Sequence, residues 1–249
     1  MHTGADGRCS SVLDQLNPAA IEALARAALE EDRAFDDVTT LATVDASLIG
    51  TATFLAKEAG VAAGLDVAAA CFRIVDGRCQ FSPLVRDGDR FTRGQRLATV
   101  EGPVRALLQA ERVALNFLQR MCGTATLTRA FVDAVAGTGV RILDTRKTTP
   151  GLRDFEKYAV RCGGGTNHRR DLASLAMIKD NHREAIRREG RTLADAAAAI
   201  RALRPGIPVE IEIDRLEQLD EALAAQPEWI LLDNMTCEDM AEAARRVAG

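Results

Sequence analysis

The stretch VEIEID, residues 209–214, alternates apolar with acidic side chains at a period of two. In a strand this puts Val209, Ile211 and Ile213 on one face and Glu210 with Glu212 on the other. If the apolar face packs outward against helices, the two glutamates face an interior. Three further apolar runs surround it: VRILDT (140–145), LAMIKD (175–180) and WILLDN (229–234). Helices are predicted over 151–162, 192–203, 215–225 and 236–248. Strands alternating with helices imply parallel pairing with crossover helices, as in an α/β barrel or an open sheet. Each run ends in charge: Asp144 with Arg146 and Lys147, Lys179 with Asp180, Glu212, and Asp233. The carboxyl ends of parallel strands are where such folds gather ligand-binding groups.

The first of these ends opens a cationic segment, DTRKTTPGLRDFEKYAVRCGGGTNHRR, residues 144–170. Arg146 offers a planar fork that matches a carboxylate, and Lys147 a mobile point charge suited to phosphate. The glycines of CGGGTNHRR suit a flexible loop that relieves steric limits on the turn, or backbone N–H groups that approach an anion; His168 and Arg169 beside them suit an anionic ligand. Arg153, Lys157, Arg161 and Arg170 read as ordinary helix or loop charges. Lys179 ends an apolar run and needs an anionic partner; an ion pair with Asp180 or Asp233 is the alternative to a ligand. Inward-facing Glu210 and Glu212, joined by Asp233, suit a divalent metal, hydroxyl groups or a lysine. Arg112, taken alone, is a surface residue of a helix.

The first half of the chain has a different texture. Residues 17–32 form a predicted helix capped by Asn17, with Pro18 in its first turn. Residues 51–100 are β-rich, with Asp-Gly turns at 76–77 and 87–88 and a helix over 65–72. Within them, VRDGDRFTRGQRLATVEGP resembles a biotinyl or lipoyl turn but has no lysine at its tip, so it is scaffold. Residues 104–137 are helical, with a break predicted at Cys122-Gly123. The net charge of −4 over 249 residues disfavours a broad nucleic-acid surface, and makes the cationic segment a local exception. A 47% hydrophobic content supports a sizeable core. Six cysteines without a CxxC pair, and three scattered histidines, suggest free thiols in a reducing cytoplasm and no zinc site. No secretion signal or membrane span is predicted.

The cationic segment, followed by MIKDNH, VEIEID and ILLDN and preceded by EEDRAFDDVTT and AERVALNFLQRMCGTAT, resembles the quinolinate phosphoribosyltransferases, also called nicotinate-nucleotide pyrophosphorylases (carboxylating). The resemblance runs from about residue 17 to the end. It implies an N-terminal α/β sandwich domain, taken here as residues 1–115, and an open, incomplete α/β barrel with parallel strands over 116–249, truncated at the C-terminus. It implies a homodimer, leaving higher assembly open, in which one subunit's N-terminal domain caps the partner's barrel. The implied reaction joins quinolinate to phosphoribosyl pyrophosphate with Mg²⁺ as metal, releasing CO2 and pyrophosphate. By the same resemblance Arg146, His168 and Arg169 hold the quinolinate carboxylates, and Arg112 reaches across the dimer interface. Lys147 and Lys179 meet the phosphate-rich substrate or quinolinate, while Glu212 and Asp233 lie near the ribose hydroxyls and the metal. Lys147, Glu212 and Asp233 are the expected catalytic residues. The family's later phosphate-binding loops are not found before Gly249, so a non-catalytic anion-binding subunit is one alternative reading. A molybdenum-associated homologue is another.

Overall fold

The computed structural model describes residues 15–248, in two compact units: one up to His168, the other from Arg169 onward. Cys9, counted above among the free thiols, lies outside the described residues.

The first unit opens with α1 (Pro18–Glu31) and α2 (Val38–Thr43). Asn17 Oδ1 accepts from Ala19 N at 2.9 Å, and Ile21, Ala25 and Leu29 are buried along one face. Strands β1 (Ile49–Leu55) and β2 (Gly60–Val61) precede α3 (Leu65–Val75). Then come β3 (Gln80–Pro83), β4 (Arg90–Phe91) and β5 (Arg96–Pro103). An antiparallel sheet forms in the order β1-β5-β3, with Val100 opposite both Ala52 and Phe81; β2 and β4 pair separately. Phe54 meets Phe72 edge-on at 5.9 Å between ring centres and Phe81 at 5.6 Å. Such aromatic pairs add to the free energy of burial.

The Asp-Gly turn at 87–88 is scaffold, as expected, and its carboxylate has a definite task. Asp87 accepts from Gly64 N at 2.9 Å, Leu65 N at 3.3 Å and Tyr158 Oη at 2.9 Å. It therefore caps α3, where Gly64 takes a positive φ of 96°. Burial raises the Asp87 pKa, and these hydrogen bonds offset the rise only in part.

The next helix, α4 (Val104–Ala134), is continuous for 31 residues, so the predicted break at Cys122-Gly123 does not occur. Residue 115, the expected end of the first domain, lies inside it. Met121, Cys122, Ala125 and Thr128 are buried on its inner side, and Cys122 Sγ accepts from Ala63 N at 3.4 Å. That packing outweighs the roughly 1 kcal/mol cost of a mid-helix glycine. Against α4 lies α5 (Arg153–Cys162). VRILDT does not form the expected strand: Leu143 makes a single parallel bridge with Thr166, and Val140 and Leu143 are exposed. The run pairs only with the segment after α5, so its apolar side chains gain no second layer.

The second unit contains β6 (Ala176–Ile178), α6 (Asp180–Arg188), α7 (Leu193–Leu203), β7 (Val209–Ile213), α8 (Leu219–Ala224), β8 (Trp229–Leu232) and α9 (Cys237–Ala248). Its strands pair in parallel in the order β6-β7-β8. Val209, Ile211 and Ile213 are fully buried, in a core with Leu193, Ala197, Leu219 and Ala222. The alternation read from the sequence is thus correct for β7. α6 was not anticipated; its strongly polar sequence leaves it with no buried residue.

Candidate active site

In the first unit the site is organised by Asp144. Its Oδ1 accepts from Lys157 Nζ at 2.5 Å and from His168 N at 2.8 Å, and its Oδ2 accepts from Asn167 Nδ2 at 2.6 Å. Lys157 also donates to the His168 carbonyl at 3.2 Å. The side chains of Lys157 and Asp144 are 7% and 6% exposed. Lys157 is therefore not an ordinary helix charge, which corrects the expectation above. Removing one partner of such a buried pair typically costs about 3–5 kcal/mol.

Arg146 and Lys147 are treated differently. The Nε of Arg146 is shielded from solvent and meets no hydrogen-bond acceptor. Lys147 is exposed, and its backbone N–H is held by Thr145 Oγ1 at 3.0 Å. The Thr149-Pro150-Gly151-Leu152 corner closes through Leu152 N to Thr149 O at 3.0 Å, with Gly151 at φ 81° as a type II turn requires. Arg120 donates to Glu156 Oε1 at 2.6 Å and to Thr149 Oγ1, and Thr149 N donates to Glu156 Oε2 at 3.2 Å. Partial burial raises the Glu156 pKa, but hydrogen bonds from Arg120 and Thr149 outweigh it and leave the carboxyl below its ordinary value.

The glycine triplet is not an anion cradle. Gly163, Gly164 and Gly165 donate their N–H groups to Ala159, Arg161 and Val160 and so end α5. Their small size serves packing: a Cβ at Gly163 would lie 2.4 Å from the Ala125 carbonyl oxygen, and one at Gly165 2.8 Å from Thr128. Burial beside this seam pushes the Cys162 thiol up to about 12. Arg112 lies exposed on α4.

In the second unit, strand register sorts the polar groups. Met177, Glu210 and Trp229 form one row across the sheet, and Glu212 pairs with Leu231 in the next. Lys179, just past β6, ion-pairs with Glu212 Oε2, and not with Asp180 or Asp233. Glu210 is buried at 4% exposure, and the Glu212 side chain is 12% exposed. Asp233 follows β8, its N–H donating to Ile213 O at 2.8 Å. Its parity puts it on the Glu212 face. His182 Nδ1 accepts from Lys179 N at 3.0 Å. Arg169 donates to Leu175 O at 3.3 Å, within its own loop.

No group of three or more His, Cys, Asp or Glu among the described residues could hold a metal by itself. Glu212, already paired with Lys179, and Asp233 are two carboxylates that would hold a divalent ion only with water or a ligand completing its shell. Lys157 and Asn167 are not marked as site residues by the sequence, and Asp144 is marked only as a strand-end charge. No periodic signal marks Lys157, because α5 buries side chains on both of its faces.

Family comparison fits this arrangement. The family model described as quinolinate phosphoribosyl transferase, N-terminal domain, matches residues 37–122, and that of the C-terminal domain matches 124–249. The chain belongs to the quinolinate phosphoribosyltransferase family. A nicotinate-nucleotide pyrophosphorylase (carboxylating) of Mycobacterium leprae is 50% identical over 212 residues, covering 84% of this chain and 73% of that protein. A Synechocystis sp. relative is 43% identical over 202 residues, 80% of this chain and 66% of its own length. The chain thus spans about two thirds to three quarters of these relatives. The crystal structure of NadC from Streptococcus pyogenes superposes with a TM-score of 0.88 at 43% identity, over 94% of this chain and 82% of that one. Antiparallel N-terminal sheets and a parallel C-terminal sheet are thus the fold of this quinolinate phosphoribosyltransferase homologue. No helix among the described residues is long and apolar enough to cross a membrane.

Proposed function

We propose that this chain transfers phosphoribose from phosphoribosyl pyrophosphate to quinolinate with decarboxylation. The products are nicotinate mononucleotide, CO2 and pyrophosphate, and the step serves NAD biosynthesis. The observation that carries this reading is a contrast within one cationic segment. Lys157 is neutralised by a buried carboxylate, whereas the buried Nε of Arg146 has no acceptor and Lys147 stands exposed beside it. Buried donors are rarely left without partners, so a guanidinium with an unmet Nε–H beside an exposed lysine suits an acidic ligand. Quinolinate carries two adjacent carboxylates and phosphoribosyl pyrophosphate several phosphates.

In this reading Arg146, His168 and Arg169 hold quinolinate, with Arg112 supplied by the second copy of a homodimer. Lys147 and Lys179 face the phosphates or quinolinate. Glu212 and Asp233 hold the ribose hydroxyls, and their negative charge stabilises the cationic ribose carbon formed as pyrophosphate departs. Mg²⁺, where bound by Glu212 and Asp233, would neutralise charge on that leaving group. Once the glycosidic bond forms, the cationic ring nitrogen accepts the electrons released by CO2 loss, so no dedicated base is needed. The parallel strands belong to an open barrel, and the protein acts in the cytoplasm.

Purified chain given both substrates and Mg²⁺ is expected to release labelled CO2 and pyrophosphate only when quinolinate is present. Absence of quinolinate-dependent release would refute the reading. Lys147→Ala is expected to lower kcat about 10²-fold, with a smaller effect on quinolinate KM. A raised KM alone would contradict Lys147's role.

A further inference from the structure

We propose that the buried Asp144–Lys157 pair, together with Asn167, is a positioning device that locks His168 in place and couples it to the Arg146-Lys147 segment. The His168 peptide is held on both sides: its N–H by Asp144 Oδ1 at 2.8 Å, its C=O by Lys157 Nζ at 3.2 Å. Asn167 bridges the two partners, donating to Asp144 Oδ2 at 2.6 Å and to the Lys157 carbonyl at 2.9 Å. Its own Oδ1 is held by Arg161 Nη1 at 2.9 Å. Asp144 lies two residues before Arg146, and its backbone N–H donates to Thr166 O at 3.1 Å. One carboxylate therefore ties the chain entering Arg146 and Lys147 to the chain presenting His168.

A buried ion pair is a poor way to gain stability, because desolvation offsets most of its Coulomb attraction. It is a good way to fix geometry, since both charges demand defined donors and acceptors. Had the pair only closed α5 onto residue 144, its remaining hydrogen bonds could go anywhere. They go to the two main-chain groups that set the direction of the His168 Cα–Cβ bond. Lys157 and Asp144 are thus positioning residues, not catalytic ones; the effect on ligand rests on the function proposed above.

The test uses Asp144→Asn with Lys157→Gln, which removes both charges while leaving a polar amide at each position. The chain has three histidines, so His168 can be followed by imidazole NMR with His182 as internal reference. In the folded variant the His168 resonances are expected to shift and broaden while those of His182 stay put. Quinolinate affinity by calorimetry is expected to fall about tenfold or more. A folded variant with wild-type His168 resonances and wild-type affinity would overturn the proposal. Should the double variant fail to fold, Asn167→Ala leaves the Asp144–Lys157 ion pair itself intact and is judged on the same two readouts. If the wild-type chain does not bind quinolinate, the proposed function fails, and the His168 resonances alone decide whether the positioning device exists.

Discussion

Replacing Gly163 by alanine tests the seam on which the His168 loop rests. Gly163 sits at the C-terminus of α5 with φ −70°, a conformation alanine adopts freely, so any cost is steric. The added Cβ would stand 2.4 Å from the Ala125 carbonyl oxygen and 2.6 Å from Thr128 Cβ. Carbon and oxygen settle at about 3.3 Å or more, so α5 and α4 must part by roughly 1 Å. Ala159, Cys162 and Ala125 are all nearly inaccessible there, and the nearest atom belongs to a helix backbone that cannot swing aside. Overpacking costs about 1–3 kcal/mol, and this geometry belongs at the upper end. For a chain of this size, about 3 kcal/mol lowers Tm by roughly 6–12 °C. Gly123→Ala is the control, because a Cβ there meets nothing within 4 Å on an exposed part of α4. It is expected to stabilise by about 0.5–1 kcal/mol. Calorimetric melting of both variants decides the matter. A Gly163→Ala protein melting within about 2 °C of wild type would show that the seam is not close-packed.

Lys179→Met strands Glu212, whose side chain is 12% exposed, while Lys179 itself is 40% exposed and well hydrated. The loss in urea unfolding is expected to be about 1 kcal/mol, discounted for that exposure, and Glu212→Gln should cost less; the reverse order would refute the pairing. For Asp87, burial raises the folded pKa above the ordinary 3.8, so the folded state holds its proton more tightly. Its contribution to stability is therefore full below about pH 3.8 and lost as pH rises through the folded value. Unfolding free energies of wild type and Asp87→Asn, compared from about pH 3.5 to 7, should show wild type losing its relative advantage as pH rises. A relative gain over that range would reverse the assignment.

The fold was legible where burial repeats along the chain. VEIEID shows one face to a core and puts Glu210 and Glu212 on the other, and the three residues of the apolar face are fully buried. Asn17 and Pro18 start α1 because capping is a local interaction. VRILDT failed as a strand although its composition matches its neighbours. A strand needs partners, and the number of partners is set by distant segments. Gly123 failed as a helix break for a related reason. Its conformational cost is local, but the contacts that override it come from Ala63 and from α5.

The candidate site was legible in its chemistry and illegible in its division of labour. The cationic segment was read as one population split by nearness to a strand end, which assigned Arg146, Lys147 and His168 to the ligand and Lys157 to solvent. Lys157 lies about 200° around the helix from Phe155, the side an amphipathic reading assigns to water. In the structure that side faces Asp144 and the His168 peptide, so α5 is enclosed on both flanks. An isolated amphipathic pattern cannot reveal a second enclosing surface when that surface is itself polar. The role of the three glycines is open in the sequence, because a glycine needed for close helix packing, one in a flexible loop and one needed for anion approach look identical there. Their N–H groups distinguish the roles: all three are spent on α5 carbonyls, and the peptide left under control of the buried pair is that of His168. The backbone of the loop at His168 is thus held by the Asp144 carboxylate, while the glycine N–H groups are engaged elsewhere. Neutralising Asp144 should therefore disturb the segment more than substituting any exposed arginine in it.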